Sequence, residues 1–171
     1  NGATILTAEG KPDYPTPGRW WDLIDRYGVS IFYTTPTAIR LLMRYGEDWP
    51  KKYDLSTLRI LGSVGEPINP EAWEWFHRVT GGNKPIMDTW WQTETGGVLI
   101  SPLATVTPLI PSFATLPLPG IRPALLNENG GEIQGNNSEG NLCIKFPWPG
   151  MARTVYDDHE RFRQTYFSTY Y

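Results

Sequence analysis

Leu58-Arg59-Ile60-Leu61-Gly62-Ser63-Val64-Gly65-Glu66-Pro67-Ile68-Asn69-Pro70-Glu71 is the stretch that decides the fold. Leu58 to Gly62, apolar apart from Arg59, reads as a buried strand. Gly62 to Pro67 is a turn built on two glycines and a proline. Asn69-Pro70-Glu71 then caps a helix: Asn is a residue type that accepts from first-turn N–H groups, and proline fits a first turn whose N–H would be orphaned anyway. Beyond the cap, Trp73, Phe76 and Val79 share one helical face. A buried strand that turns sharply into a capped helix is half of a βαβ unit.

The same alternation runs upstream. Thr16-Pro17 starts a helix, Trp20, Trp21, Ile24 and Tyr27 follow at helical spacing, and Gly28 ends it. Val29 to Tyr33 reads as a buried strand. Pro36 to Tyr45 reads as a second helix whose apolar face is Ile39, Leu41, Leu42 and Met43. Downstream, Pro85-Ile86-Met87-Asp88 leads from a further strand into a polar loop. Strands separated by helices of this length predict right-handed crossovers and a parallel sheet.

The second half changes character. Pro102, Pro108, Pro111, Pro117 and Pro119 exclude a continuous helix or a central strand there. From Ile121 the pattern is hairpin-like: Ala124-Leu125-Leu126, a turn over Asn127 to Gly131, Glu132-Ile133, and a strand around Leu142 to Phe146. The fold class is therefore α/β, with parallel βαβ units in the first half and a β-rich, antiparallel subdomain in the second. Residues 1–101 form the α/β portion, and residues 102–171 the proline-rich connection and β-rich subdomain.

Composition narrows the function. At 171 residues, 40% of them hydrophobic, the chain is of single-domain size, and its 8 Trp and 9 Tyr supply flat contact surfaces. The formal net charge is −3 with both signs interspersed, so no basic stripe marks a nucleic-acid partner. No apolar run approaches bilayer length, so no membrane partner is expected. One cysteine, Cys143, builds neither a disulfide nor a cysteine-based metal site; it reads as a small core residue in a reducing, cytoplasmic setting. Asn1-Gly2-Ala3 opens without an initiator Met and Tyr166 to Tyr171 closes on aromatics, which suggests a chain cut inside a larger fold.

Two loops carry candidate chemistry. In open α/β sheets, ligands bind beyond the carboxyl ends of the strands, which is where Gly62 to Pro67 should lie. Asp88-Thr89-Trp90-Trp91-Gln92-Thr93-Glu94-Thr95-Gly96-Gly97 should open on the same rim, with two indoles for stacking, hydroxyls for hydrogen bonds and Glu94 as a hard oxygen ligand. Residue type alone leaves alternatives open. Gly62 to Pro67 is also an ordinary strand-to-helix turn, the tandem Trp also suits core packing, and Glu94 also suits a solvated position. His77 and His159 read as structural or solvated.

The segments Gly62 to Trp75, Asp88 to Gly97, Thr34-Thr35-Pro36-Thr37-Ala38-Ile39-Arg40, Trp148 to Thr154 and His159 to Thr169 together resemble AMP-forming acetyl-CoA synthetases over nearly the whole chain. These long, tryptophan-rich strings are far more specific than any short glycine motif. The resemblance implies part of the large N-terminal domain of an adenylate-forming ligase, whose substrates and cofactors are ATP (with AMP as product), acetate, CoA and Mg²⁺. It implies that Gly65, Glu66 and Pro67 pack against adenine, and that Asp88, Thr89, Trp90, Trp91, Gln92 and Thr93 wrap adenine and the α-phosphate. It implies an acetate pocket lined by Val64 and Trp91, where the indole fills the space a longer acyl chain needs. Glu94 matches the Mg²⁺ carboxylate, and Asp13 falls where an Asn often touches CoA. No catalytic residue is implied within this stretch. A propionate or other short-chain ligase, and a non-catalytic nucleotide-binding module, are the competing readings.

The resemblance also implies parts that this chain does not carry: a phosphate-gripping loop before residue 1, a ribose-binding Gly-Asp pair after Tyr171, and a C-terminal lysine-bearing domain from the remainder of a parent enzyme. The chain alone is therefore expected to lack ligase activity. Ser112-Phe113-Ala114-Thr115-Leu116-Pro117 departs from a Gly-Ser-Ala-Thr-Arg-Pro-like string, adding bulk at Phe113 and removing a guanidinium at Leu116. Asp157 stands where a small residue is usual.

Overall fold

The computed structural model describes residues 2–170. The domain limits expected at Asn1 and Tyr171 lie outside these. The chain groups into two compact units: Asn1–Asp88 with Pro102–Ala114, and Thr89–Ser101 with Thr115–Tyr171.

The first unit is the α/β part. Its elements run α1 (Arg19–Tyr27), β1 (Ile31–Thr34), α2 (Pro36–Met43), β2 (Ile60–Ser63), α3 (Pro70–Val79) and β3 (Ile86–Asp88). The strands pair in the order β1-β2-β3, all parallel, with Phe32 opposite Leu61 and Leu61 opposite Ile86. The buried core draws Trp21 and Ile24 from α1, Ile39 and Leu42 from α2, and Ala72, Trp75 and Phe76 from α3 around Leu61 and Ile86. The half-buried Phe32 takes edge-on contacts from Trp20, Trp21 and Phe76 at 5.5, 6.0 and 5.6 Å. Fully burying one large apolar side chain is worth roughly 1.5–3 kcal/mol. The sheet and its three helices are held by that.

Several local expectations shift. α1 begins at Arg19 rather than at Thr16-Pro17, because Thr16 O is used in a preceding turn by Arg19 N (3.1 Å). Gly28 ends it as expected, in the left-handed conformation. β1 is not buried throughout: Ile31 and Tyr33 are 53% and 48% exposed, since they alternate with Phe32 and Thr34 and point to the opposite, uncovered face. Asn69 precedes α3 but makes no side-chain cap bond. The fully buried residues of α3 are Ala72, Trp75 and Phe76; Trp73 and Val79 are partly buried against the same core, and Trp73 also stacks on His77 at 5.3 Å.

The second unit contains β4 (Pro123–Leu126) and β5 (Asn141–Ile144), an antiparallel pair with Ala124 opposite Cys143. The turn after β4 is tied by Asn127 Oδ1, which accepts from Asn129 N and Gly131 N, both at 2.9 Å. Cys143 is half-buried on β5, and burial raises its thiol pKa. A helix that the sequence reading did not foresee, α4 (His159–Phe167), starts at Asp158, whose side chain accepts from Arg161 N at 3.0 Å. Phe162 is its buried residue, packed by the rings of Tyr166 and Phe167. Among the described residues no helix is long and apolar enough to cross a membrane.

Candidate functional site

In the first unit Val64, Gly65, Glu66, Pro67 and Asp88 gather at the carboxyl ends of the strands, whereas Asp13 lies in the segment before α1. Val64 N donates to Thr34 O at 3.0 Å, tying the turn after β2 to the end of β1. Gly65 has φ +94°, a conformation that L side chains avoid, although a Cβ would find Thr35 Cγ2 no nearer than 3.9 Å. Glycine is required here by backbone geometry rather than by space. Glu66 turns back to α2: Oε1 accepts from Thr37 N (2.8 Å) and from the Thr37 hydroxyl, while Oε2 accepts from Arg40 Nη2 (2.7 Å). Thr37 is the second residue of α2, so the carboxylate sits on a free N–H at the positive end of the helix. The Thr37 hydroxyl and then Arg40 hold the Glu66 carboxyl below the usual range.

Asp88 closes β3 opposite Ser63. It is 7% exposed, and burial pushes its pKa up to about 6. Asp13 is half-buried, and Tyr45 donates its hydroxyl to Asp13 Oδ2 at 2.9 Å. That bond raises the Tyr45 pKa. Val64 is half-buried and Pro67 follows Glu66 into the lead of α3.

The remaining candidates lie in the second unit. Trp90 is half-buried, and its backbone pairs with the segment after the loop: Trp90 N donates to Ile100 O (2.8 Å), and Leu99 N to Trp90 O (3.1 Å). Trp91, Gln92 and Thr93 are exposed, with Trp91 at 41%. The indole of Trp91 is not core in this structure. The loop is pinned behind them. Thr95 Oγ1 accepts from Gln92 N (2.9 Å), Trp148 Nε1 donates to Thr95 O (2.7 Å), and Ala152 N donates to Glu94 O (2.8 Å). Gly96 has φ +65°, and a Cβ there would overlap the Gly150 carbonyl oxygen. Glu94 is half-buried, and its carboxylate accepts from the Tyr166 hydroxyl, which holds it below the usual range.

Among the described residues no group of three or more His, Cys, Asp or Glu stands together to hold an ion. Mg²⁺ usually takes only one or two carboxylates, with water and substrate phosphates completing its shell. A lone half-buried Glu94 fits an ion brought in with a nucleotide and does not fit a resident all-protein site.

Arg40, Thr37 and Tyr166 had no role in the sequence reading. Their partners stand 26, 29 and 72 residues away, and nothing in local spacing signals such a pairing. His77 and His159 remain outside the candidate set: His77 stacks on Trp73, and His159 Nδ1 meets Thr154 Oγ1 at 3.0 Å. Phe113 and Leu116 are both exposed, so neither departure is packed into a core.

Comparison with known proteins places the chain in a family. Residues 1–156 match the family described as AMP-binding enzyme. Acetyl-coenzyme A synthetases of Caulobacter vibrioides and Rubrobacter xylanophilus are 61% and 59% identical over 99% of this chain, which spans 26% of each. The crystal structure of Brucella canis acyl-CoA synthetase superposes with a TM-score of 0.66 at 36% identity, covering 74% of this chain and 23% of that one. The chain thus spans about a quarter of the length of the relatives that it matches.

Proposed function

This chain belongs to the AMP-binding enzyme family, and on that premise we propose that it serves an AMP-forming acetate–CoA ligase. The reaction has two steps. Acetate attacks the α-phosphate of ATP, forming acetyl-adenylate and releasing pyrophosphate; the CoA thiol then displaces AMP. The observation that carries this reading is Trp91, an indole left open on a loop pinned from behind by Trp148 and Ala152, in a chain about 60% identical to acetyl-coenzyme A synthetases.

The roles are assigned unit by unit. In the first, Gly65 and Pro67 present backbone and ring to adenine, Val64 lines the acetate pocket, and buried Asp88 borders the nucleotide. Asp13 lies near CoA. In the second, Thr89, Trp90, Gln92 and Thr93 follow adenine and the α-phosphate, and Trp91 limits acyl length. Glu94 would hold Mg²⁺, which neutralises phosphate charge when bound. These residues position substrates and stabilise charge, and covalent catalysis is not called for. Residues 1–101 are the α/β portion and residues 102–171 the β-rich portion of one adenylating domain. A cytoplasmic setting suits the single thiol.

The test is carboxylate-dependent ATP–pyrophosphate exchange, with the chain in its natural reading frame. Exchange with acetate, weaker with propionate and negligible with butyrate is expected. Trp91→Gly should move the preference to longer acids, because it removes the open indole that is assigned to fill the space a longer acyl chain needs. No exchange with any carboxylate from a folded protein overturns the proposal.

A further inference from the structure

Glu66 sits in the middle of the turn assigned to the nucleotide, yet both of its carboxylate oxygens are engaged by α2. A carboxylate already satisfied by a helix N–H, a hydroxyl and a guanidinium has little left to offer a ligand. Its neighbours differ: Gly65 takes φ +94° and Pro67 fixes the following φ, so both present backbone and ring rather than a polar side chain. The turn is tied in two places. Val64 N binds Thr34 O at 3.0 Å on one side, and the Glu66 side chain binds α2 on the other.

We propose that Arg40, with Thr37, is a positioning residue for the nucleotide site: through the Glu66 carboxylate it locks the Gly65-Glu66-Pro67 turn onto the first turn of α2. The proposal rests on the nucleotide role assigned to that turn above. Arg40 itself touches no substrate.

The ion pair is suited to this. Arg40 lies one helical turn after Thr37, so its guanidinium and the Thr37 N–H converge on one carboxylate. A part-exposed ion pair contributes little to global stability. Here it joins a helix N-terminus, and its effect falls on a turn rather than on the core. Both partners are near 40% exposed and the core cluster includes neither. Removing Arg40 should therefore loosen the turn without unfolding the sheet.

The experiment measures AMP binding by calorimetry, together with melting temperature, on the protein in its natural reading frame. The variants are Arg40→Ala, Arg40→Lys, Glu66→Gln and the Arg40→Ala/Glu66→Gln double. Arg40→Ala is expected to weaken AMP binding about ten-fold, the size of one lost charge-assisted hydrogen bond, with little change in melting temperature. Lys should restore most of the loss, and the double variant should bind no worse than the worse single. Unchanged AMP affinity in Arg40→Ala overturns the proposal, as does full additivity in the double. A fall in melting temperature large enough to account for the lost binding also overturns it, since the strut is then merely structural. AMP binding without carboxylate-dependent exchange removes the ligase reading and leaves this test intact; no AMP binding by the unsubstituted protein removes both.

Discussion

The two units hold themselves together by different means. The first buries Trp21, Ile39, Leu61, Phe76 and Ile86 in one contiguous cluster under a parallel sheet. The second has few buried apolar side chains, Leu99, Ala124 and Phe162 among them, and depends more on specific backbone geometry. Trp148 Nε1 on Thr95 O, Ala152 N on Glu94 O and Leu118 N on Leu99 O (2.8 Å) stitch its loops. Gly96 permits a close approach to Gly150 that no other residue allows. The lesson is that a packed sheet fixes where the strand ends lie, whereas a loop that must leave an indole open is fixed by hydrogen bonds from behind it.

The comparison breaks if substitutions in the two units behave alike. Phe76→Ala should cost about 4 kcal/mol by chemical denaturation, since its fully buried ring contacts Phe32 and leaves a cavity. Phe162→Ala should cost clearly less, because Phe162 is the one buried residue of α4, whereas Phe76 belongs to a contiguous buried cluster. Equal losses would show that the second unit is core-driven too. Gly96→Ala should cost about 3 kcal/mol, because the added methyl meets a backbone carbonyl and φ +65° is itself unfavourable for alanine. Gly62→Ala is the counterpart in the first unit: its Cβ would meet the Tyr33 ring near its attachment to the strand, so the loss should be of similar size, and a much smaller loss would show that β1 gives way where the second unit's backbone does not.

That difference also decides what was legible. Strand-helix alternation over Val29 to Asp88 was readable, because apolar periodicity records burial directly and Gly28, Pro36 and Pro70 mark helix ends. The exposure of Ile31 and Tyr33 was not, since an apolar run does not say how many faces of its sheet are covered. The turn that brings the chain from β4 back to Glu132-Ile133 was readable from Asn127 to Gly131, which has its own side-chain bonds. α4 was missed because its amphipathic signal is weak and only Phe162 is buried. In the candidate site the loops were placed by residue type and resemblance. The Arg40–Glu66 and Tyr166–Glu94 pairings were invisible, as contacts across 26 and 72 residues leave no trace in local spacing.

Asp88 sharpens the comparison at the strand ends. Burial raises its pKa from 3.8 to about 6, so the folded state holds the proton more tightly than the unfolded state does. For a raised carboxyl the stabilising contribution is present at low pH and is lost as pH climbs from about 4 to 6, with no further change above. Ionised Asp88 thus lowers stability by about 2–3 kcal/mol at pH 7. Asp88→Asn should recover much of this at pH 7 and flatten the stability profile between pH 4 and 6. Denaturant midpoints across that range measure it. An unchanged slope would mean that water or a neighbouring group already solvates the carboxylate.

Ser112 is the smallest and most specific case. It has φ +74°, a region that suits glycine and is unfavourable for a residue with a Cβ. The related string has glycine at this place, so the serine introduces backbone strain into a segment with no helix or strand of its own. Its hydroxyl is buried and finds no partner, which adds a desolvation cost without a compensating bond. Both effects vanish in Ser112→Gly, which should gain about 1 kcal/mol despite the extra freedom that glycine brings to the unfolded chain. Ser112→Ala removes the hydroxyl and keeps the Cβ, so it should gain less. If Ala matches Gly, the orphaned hydroxyl dominates; if only Gly gains, the backbone does, and Ser112 follows the same geometric control that Gly96 exerts in the second unit.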